Sequence, residues 1–221
     1  MHKSILDTIM ISDTNKTQSE SIADKIRDLI LNGTYQPGQP LRQEALSEQL
    51  NVSRTPLRHA LQALADDGLV EATGFKGARV AQLDPGMVAD LFEMRLLLEP
   101  VALASAFDRY TKMDFARAEM ALDAASTEGA PARLSDLNWD FHHALYAPSG
   151  RGTLLKTIEQ LNRASALAEV IASSITVRPE KSAAEHQALL DACRKGDRTG
   201  AVGILQNHLT LAYQDICNRK E

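Results

Sequence analysis

Along the first eighty residues the apolar positions change period twice, and each change marks an element. Ile22, Ile26, Leu29 and Ile30 recur at helical spacing and stop at Asn32-Gly33, a pair that favours the left-handed backbone of a helix end. After the turn Tyr35-Gln36-Pro37-Gly38, the positions Ala45, Leu46 and Leu50 predict a short second helix ending at Asn51. Ser53 then stands where it can cap a third helix. In that helix Pro56 falls in the first turn, where its missing N–H costs nothing, and Leu57, Ala60, Leu61 and Leu64 form the stripe to be buried. Gly68 ends it. Residues 69–72 and 78–81 alternate at period two around Thr73-Gly74-Phe75-Lys76-Gly77, a loop of hairpin length. Two short helices joined through Asn51-Val52 and followed by a hairpin have the pattern of a winged helix-turn-helix.

From Asp84-Pro85 onward only the helical period remains. The first long helix places Val88, Leu91, Arg95, Leu98 and Ala102 on one face, so an arginine occupies a core-facing position. A buried guanidinium must be balanced, either by Glu99 four residues on or by a bound carboxylate. Pro100 is expected to kink this helix or to raise a local irregularity in it. The whole chain therefore reads as mainly α: an N-terminal winged helix-turn-helix plus a C-terminal all-α helical bundle. The expected boundaries are a flexible leader over 1–19, a DNA-binding unit over 20–83 and a helical effector-binding and dimerisation unit over 84–221.

Composition narrows this further. The 221 residues are 44% hydrophobic but only 5% aromatic, which suits an aliphatic helical core. No run of about 18 apolar residues occurs, and the N-terminus lacks the charge pattern and cleavage site of a signal peptide, so neither membrane spanning nor export is expected. Cys193 and Cys217 are too few for a disulfide framework or a thiolate metal site, and a reducing cytoplasm fits. The formal charge is -5, and residues 20–83 carry seven cations against eight anions. Any contact with nucleic acid must come from a local cluster of cations.

The third helix supplies that cluster. Ser53 and Thr55 are short donors at a helix N-terminus, while Arg54 and Arg58 share a face and present forks that match the O6 and N7 of guanine. An arginine pair on a helix is commonly just solvated; the tight turn before it and the wing after it argue otherwise here. Lys76 and Arg79 put cations on the wing for a phosphate backbone or a minor groove. Arg42, His59 and Gly77 complete the residues expected at double-stranded DNA.

Residues 20–83, and above all VSRTPLRHAL followed by DDGLV, resemble the winged-helix reading head of GntR-type bacterial transcription regulators. His59 departs from the pattern, since the family usually has Glu there.

Polar groups recur in the apolar stripes of the second half. Asn138 and His142 are four residues apart on one helix, and His186 and His208 each lie on the apolar face of a further helix. Singly, each reads as a core histidine satisfied by one hydrogen bond. Together, imidazoles from separate helices beside an oxygen ligand are a recurrent way of building a divalent-metal site in a bundle. His143 points about 100° away from His142 and is expected outside. The stretches EMRLLLEPVALASA and LNWDFHHALYAPSG, then His186 and His208 about 22 residues apart, resemble the metal-containing ligand-binding (FCD) domain of the FadR-type branch of that family. The resemblance implies metal ligation by Asn138, His142, His186 and His208, and puts Arg95 and Glu99 on the family's Arg and Glu. Asn138 stands where many members have Asp, and an amide oxygen binds a cation more weakly.

These readings imply a ligand-responsive regulator, in the sense of a repressor, and not an enzyme. It would bind a palindromic operator as a homodimer, with a divalent ion (Zn, Ni or Mn) and a small carboxylate effector that Arg95 helps to hold. Two other readings stay open at this point. Three His and an oxygen ligand also suit a metalloenzyme acting on an organic acid, though no positioned base, nucleophile motif or phosphate loop accompanies them. Alternatively the histidines are structural and the regulator is metal-free.

Overall fold

The computed structural model describes residues 17–73, 78–82, 85–173 and 179–217. The first helix, α1 (Gln18–Leu31), opens on a capping box: the Glu20 amide donates to the Thr17 hydroxyl at 3.2 Å and the Thr17 amide donates to the Glu20 carboxylate at 2.6 Å. It therefore begins two residues before the boundary expected from the apolar stripe, because the cap lies outside that stripe. Gly33 takes the left-handed backbone after α1, with φ +77°. β1 (Pro40–Leu41), α2 (Gln43–Leu50), α3 (Arg54–Asp66), β2 (Val70–Ala72) and β3 (Ala78–Val80) follow.

Asn51 makes the tight turn between α2 and α3 in the left-handed region at φ 51°. The predicted stripe of α3 is buried in full, and packs with Ile26 and Ile30 of α1 and Val80 of the hairpin. Two expectations need correction. Ala45 is exposed, while Leu46 of α2 is buried and Leu50 packs half-buried against the core, and Ser53 occupies the N-cap of α3 without making a side-chain cap bond. The hairpin pairs Val70 with Val80, and β1 joins it through Leu41 opposite Ala78, so the sheet runs β1-β3-β2 with all pairs antiparallel.

Among the described residues, six α-helices build the second half: α4 (Pro85–Ala106), α5 (Lys112–Thr127), α6 (Pro131–Tyr146), α7 (Gly152–Ser173), α8 (Pro179–Arg194) and α9 (Arg198–Cys217). Leu103, Phe141, Leu145, Ile158, Leu190 and Leu205 form its core. α4 packs against α6, α7 and α9. Pro100 lies inside α4, which continues through it to Ala106; packing on three neighbours outweighs the one hydrogen bond that the missing N–H removes.

The two halves meet along α1, which packs on α6 and α7, and at the C-terminal end of α3. The Asp67 carboxylate accepts from Arg27 of α1 at 3.0 Å and from Arg163 of α7 at 2.8 Å, and Arg163 also reaches Glu159 at 2.7 Å. Gly68, at φ +74°, turns the chain beside Ala164 of α7.

Candidate functional site: a reading surface and a histidine centre

Ser53, Arg54, Thr55, Arg58 and His59 are all exposed along the N-terminal half of α3, with Arg42 exposed just before α2. The amphipathic pattern that buries Leu57, Ala60 and Leu61 turns these residues to solvent as one face. Arg54 is met by Glu44 of α2 at 3.1 Å, an ion pair with both side chains well exposed. On the wing, the Nε of Arg79 donates at 2.7 Å to Glu71 of the neighbouring strand, and this bond holds the Glu71 carboxyl below its usual range. Two of the expected DNA-contacting arginines thus rest on carboxylates that phosphate or base edges would have to replace. The sequence reading missed both acids, although Glu71 and Arg79 share one face of that hairpin in any register that keeps its alternation. Lys76 and Gly77 lie outside the described residues.

The second centre is enclosed. His142 on α6, His186 on α8 and His208 on α9 are all buried, with ring centroids 5.0 Å apart for His142–His186, 5.4 Å for His142–His208 and 4.6 Å for His186–His208. One ring nitrogen of each lies within 4.8 Å of the others. The separate helical stripes thus converge as the spacing predicted. Asn138 is half-buried one turn before His142 on α6, while His143 is exposed against Trp139.

Burial pushes the His142 imidazole well below its ordinary range, reinforced by His186, His208 and Arg95; burial, then His208, pushes His186 down to about 3. Both rings are therefore neutral near pH 7, the form that ligates metal. The Nε2 atoms of His142 and His186 are buried and have no hydrogen-bond partner among the described residues. Leaving a buried polar atom unsatisfied costs about 1–3 kcal/mol, so two of them in one cluster fit an absent divalent cation. Imidazole donors suit Zn and Ni.

A polar chain backs the cluster. Arg95 donates from Nε to Glu99 at 2.6 Å, with both residues buried, so of the two partners left open for this guanidinium Glu99 is the one present. The phenol of Tyr146 donates to the other Glu99 oxygen at 2.8 Å and lies 3.0 Å from Nδ1 of His142. Burial and Glu99 hold that phenol well above its ordinary range, so it keeps its proton. Nδ1 of His208 lies 2.7 Å from Glu185. Tyr146 and Glu185 were not foreseen, although Tyr146 follows His142 at the same four-residue spacing that linked Asn138 to it.

A winged helix-turn-helix head on an all-helical partner is the architecture of a DNA-binding transcription regulator. Residues 18–80 match the model of bacterial regulatory proteins of the gntR family, and residues 90–211 match that of the FCD domain. The chain belongs to the gntR family and carries an FCD domain. Among relatives, a glc operon transcriptional activator of Escherichia coli is 30% identical over 68% of each chain. A probable D-xylose utilization operon transcriptional repressor of Paenarthrobacter nicotinovorans is 26% identical over 90% of this chain and 91% of its own. The solved structure of E. coli McbR/YncC superposes with a TM-score of 0.79 at 21% identity, covering 93% of this chain and all of that one. The family and these relatives are regulators of transcription, not enzymes. No helix among the described residues is long and apolar enough to cross a membrane.

Proposed function

We propose that this regulator is a cytoplasmic, homodimeric repressor of the FadR-type branch, released from a palindromic operator by a small carboxylate that binds in the helical domain at a divalent ion. His142, His186 and His208 hold the ion, Zn, Ni or Mn, and Asn138 adds a weaker oxygen ligand. When bound, the ion supplies an electrophilic centre with open positions for a carboxylate oxygen. Arg95, paired with Glu99 through Nε, places a positive charge beside the cluster that favours an anionic ligand there. The observation that carries the reading is the pair of buried, unsatisfied Nε2 atoms in a cluster of neutral imidazoles, within the domain attached to the reading head.

The dimer is supported by α4. Met87, Met94, Leu97 and Val101 are 38, 41, 64 and 45% exposed, and at 100° per residue they fall within about 80° of arc. Such an apolar stripe suits a second copy of the same helix. A single head covers one half-site, so two heads at a set spacing grip a palindrome, and the effector acts by its differential affinity for two spacings. Effector and operator then weaken each other by the same factor.

The test is a thermal-shift screen of carboxylates, with and without divalent ions, on protein purified without a His tag, joined to metal analysis and operator titration. One ion per chain, a carboxylate whose stabilisation needs that ion, and loss of both in His186→Ala are expected. Carboxylate shifts that are the same with and without ions would establish the metal-free alternative.

A further inference from the structure

The hydrogen bonds behind His142 and His208 decide which nitrogen of those two rings carries the proton. Glu99 accepts from Arg95 through Oε1 and from the Tyr146 hydroxyl through Oε2. A phenol has one proton, and here Glu99 takes it. Towards His142 the Tyr146 oxygen can therefore only accept, so the contact at 3.0 Å requires the proton on Nδ1 of His142. In a neutral ring the other nitrogen, Nε2, is then a bare lone pair, and it is the buried Nε2 that lacks a partner. Glu185 does the same for a neutral His208 ring: a carboxylate 2.7 Å from Nδ1 favours the proton there, which leaves Nε2 for the shared centre.

We propose that Tyr146, backed by Glu99, and Glu185 are positioning residues that set the tautomers of His142 and His208, so that both rings present Nε2 lone pairs to the centre shared with His186 before any ion arrives. The purpose of those lone pairs rests on the metal reading above, whereas the tautomers belong to the metal-free chain. The device removes the need to reorient a ring or move a proton when a cation enters, and partners of this type raise the basicity of the ligating nitrogen.

The experiment uses the full chain with ring-15N histidine, stripped of metal by a chelator and examined by two-bond 1H–15N correlation, with His142→Gln and His208→Gln to assign the rings. The expected spectrum has pyrrole-type Nδ1 and pyridine-type Nε2 for both residues. Tyr146→Phe keeps the ring volume but deletes the acceptor: His142 should lose its single tautomer and the Kd for Zn2+ should rise about 10–100-fold, with stoichiometry still one. Glu185→Gln retains an acceptor oxygen and should keep the His208 tautomer, whereas Glu185→Ala should not. A proton on Nε2 of His142 in the wild type overturns the proposal, as does a Tyr146→Phe protein with unchanged tautomer and zinc affinity. Should Tyr146→Phe fail to fold, the wild-type spectrum still decides. Tautomers as expected in a protein that binds no ion uphold the positioning roles and sink the metal reading instead.

Discussion

Acidifying the metal-free protein from pH 7 to pH 5 should weaken it by an amount that the histidine cluster sets. His186 is held down to about 3 in the folded chain, mainly by burial, and His142 is displaced in the same direction. An unfolded histidine titrates near 6.5, so at pH 5 nearly every unfolded molecule is protonated at these positions while the folded rings stay neutral. For a depressed histidine, the folded-state advantage is complete above about 6.5 and is lost as the pH falls from there towards the folded value. By linkage, His186 alone contributes about 2 kcal/mol less stability at pH 5 than at pH 7, and His142 adds a loss of the same sign. Unfolded carboxylates titrate near 4, below this window, and the charged groups on the cluster's flanks are Arg95, Glu99 and Glu185. The assay is urea unfolding in excess chelator. With a slope of about 2 kcal/mol/M, His186 should account for a midpoint lower by about 1 M at pH 5. His186→Gln removes that titrating group and should recover about that much of the pH dependence. A wild-type midpoint that does not move between pH 7 and 5, or a His186→Gln protein with the wild-type slope, would refute the reasoning.

Three further outcomes are expected. Arg54→Ala and Arg58→Ala should each cost about 1–3 kcal/mol on a selected operator and relax preference at one base pair, whereas Arg79→Ala should weaken all sequences alike and reduce the salt slope by about one, as read by fluorescence anisotropy across a salt series. Asn138→Asp adds a negative charge beside the three imidazoles and should tighten Zn2+ binding in competition titrations, with no change if Asn138 does not ligate. Leu97→Glu puts a charge in the middle of the exposed α4 stripe and should turn a dimer into a monomer by light scattering, leaving the helical circular dichroism intact.

What the chain disclosed in advance was whatever repeats. The period of Leu57, Ala60, Leu61 and Leu64 located α3, and with it the face carrying Arg54 and Arg58, because burial of one stripe dictates what the other side shows. The same logic found the three histidines on apolar faces of separate helices. β1 escaped, since the two residues Pro40–Leu41 are too few to alternate and the pairing that defines them lies some forty residues away. Glu44 escaped for a related reason: its contact with Arg54 is set by how α2 crosses α3, which no local pattern encodes. Glu99 was visible as a partner for Arg95, but its second acceptor role depends on Tyr146, forty-seven positions away.

The carboxylate that helps join the halves of the molecule also makes the whole head, in which α3 is packed against α1 and the hairpin, a lever. Asp67 stands at one end of α3, fastened to Arg163 of the helical domain, and Arg54 stands at the other. Thirteen helical rises separate fulcrum from tip by about 20 Å, so a pivot of about 10° at Asp67 carries Arg54 through about 3 Å. That is close to the 3.4 Å rise between successive base pairs along one strand. With Arg54 on the bases, as proposed, a rotation of the head by that small angle is enough to set it one base step out of register.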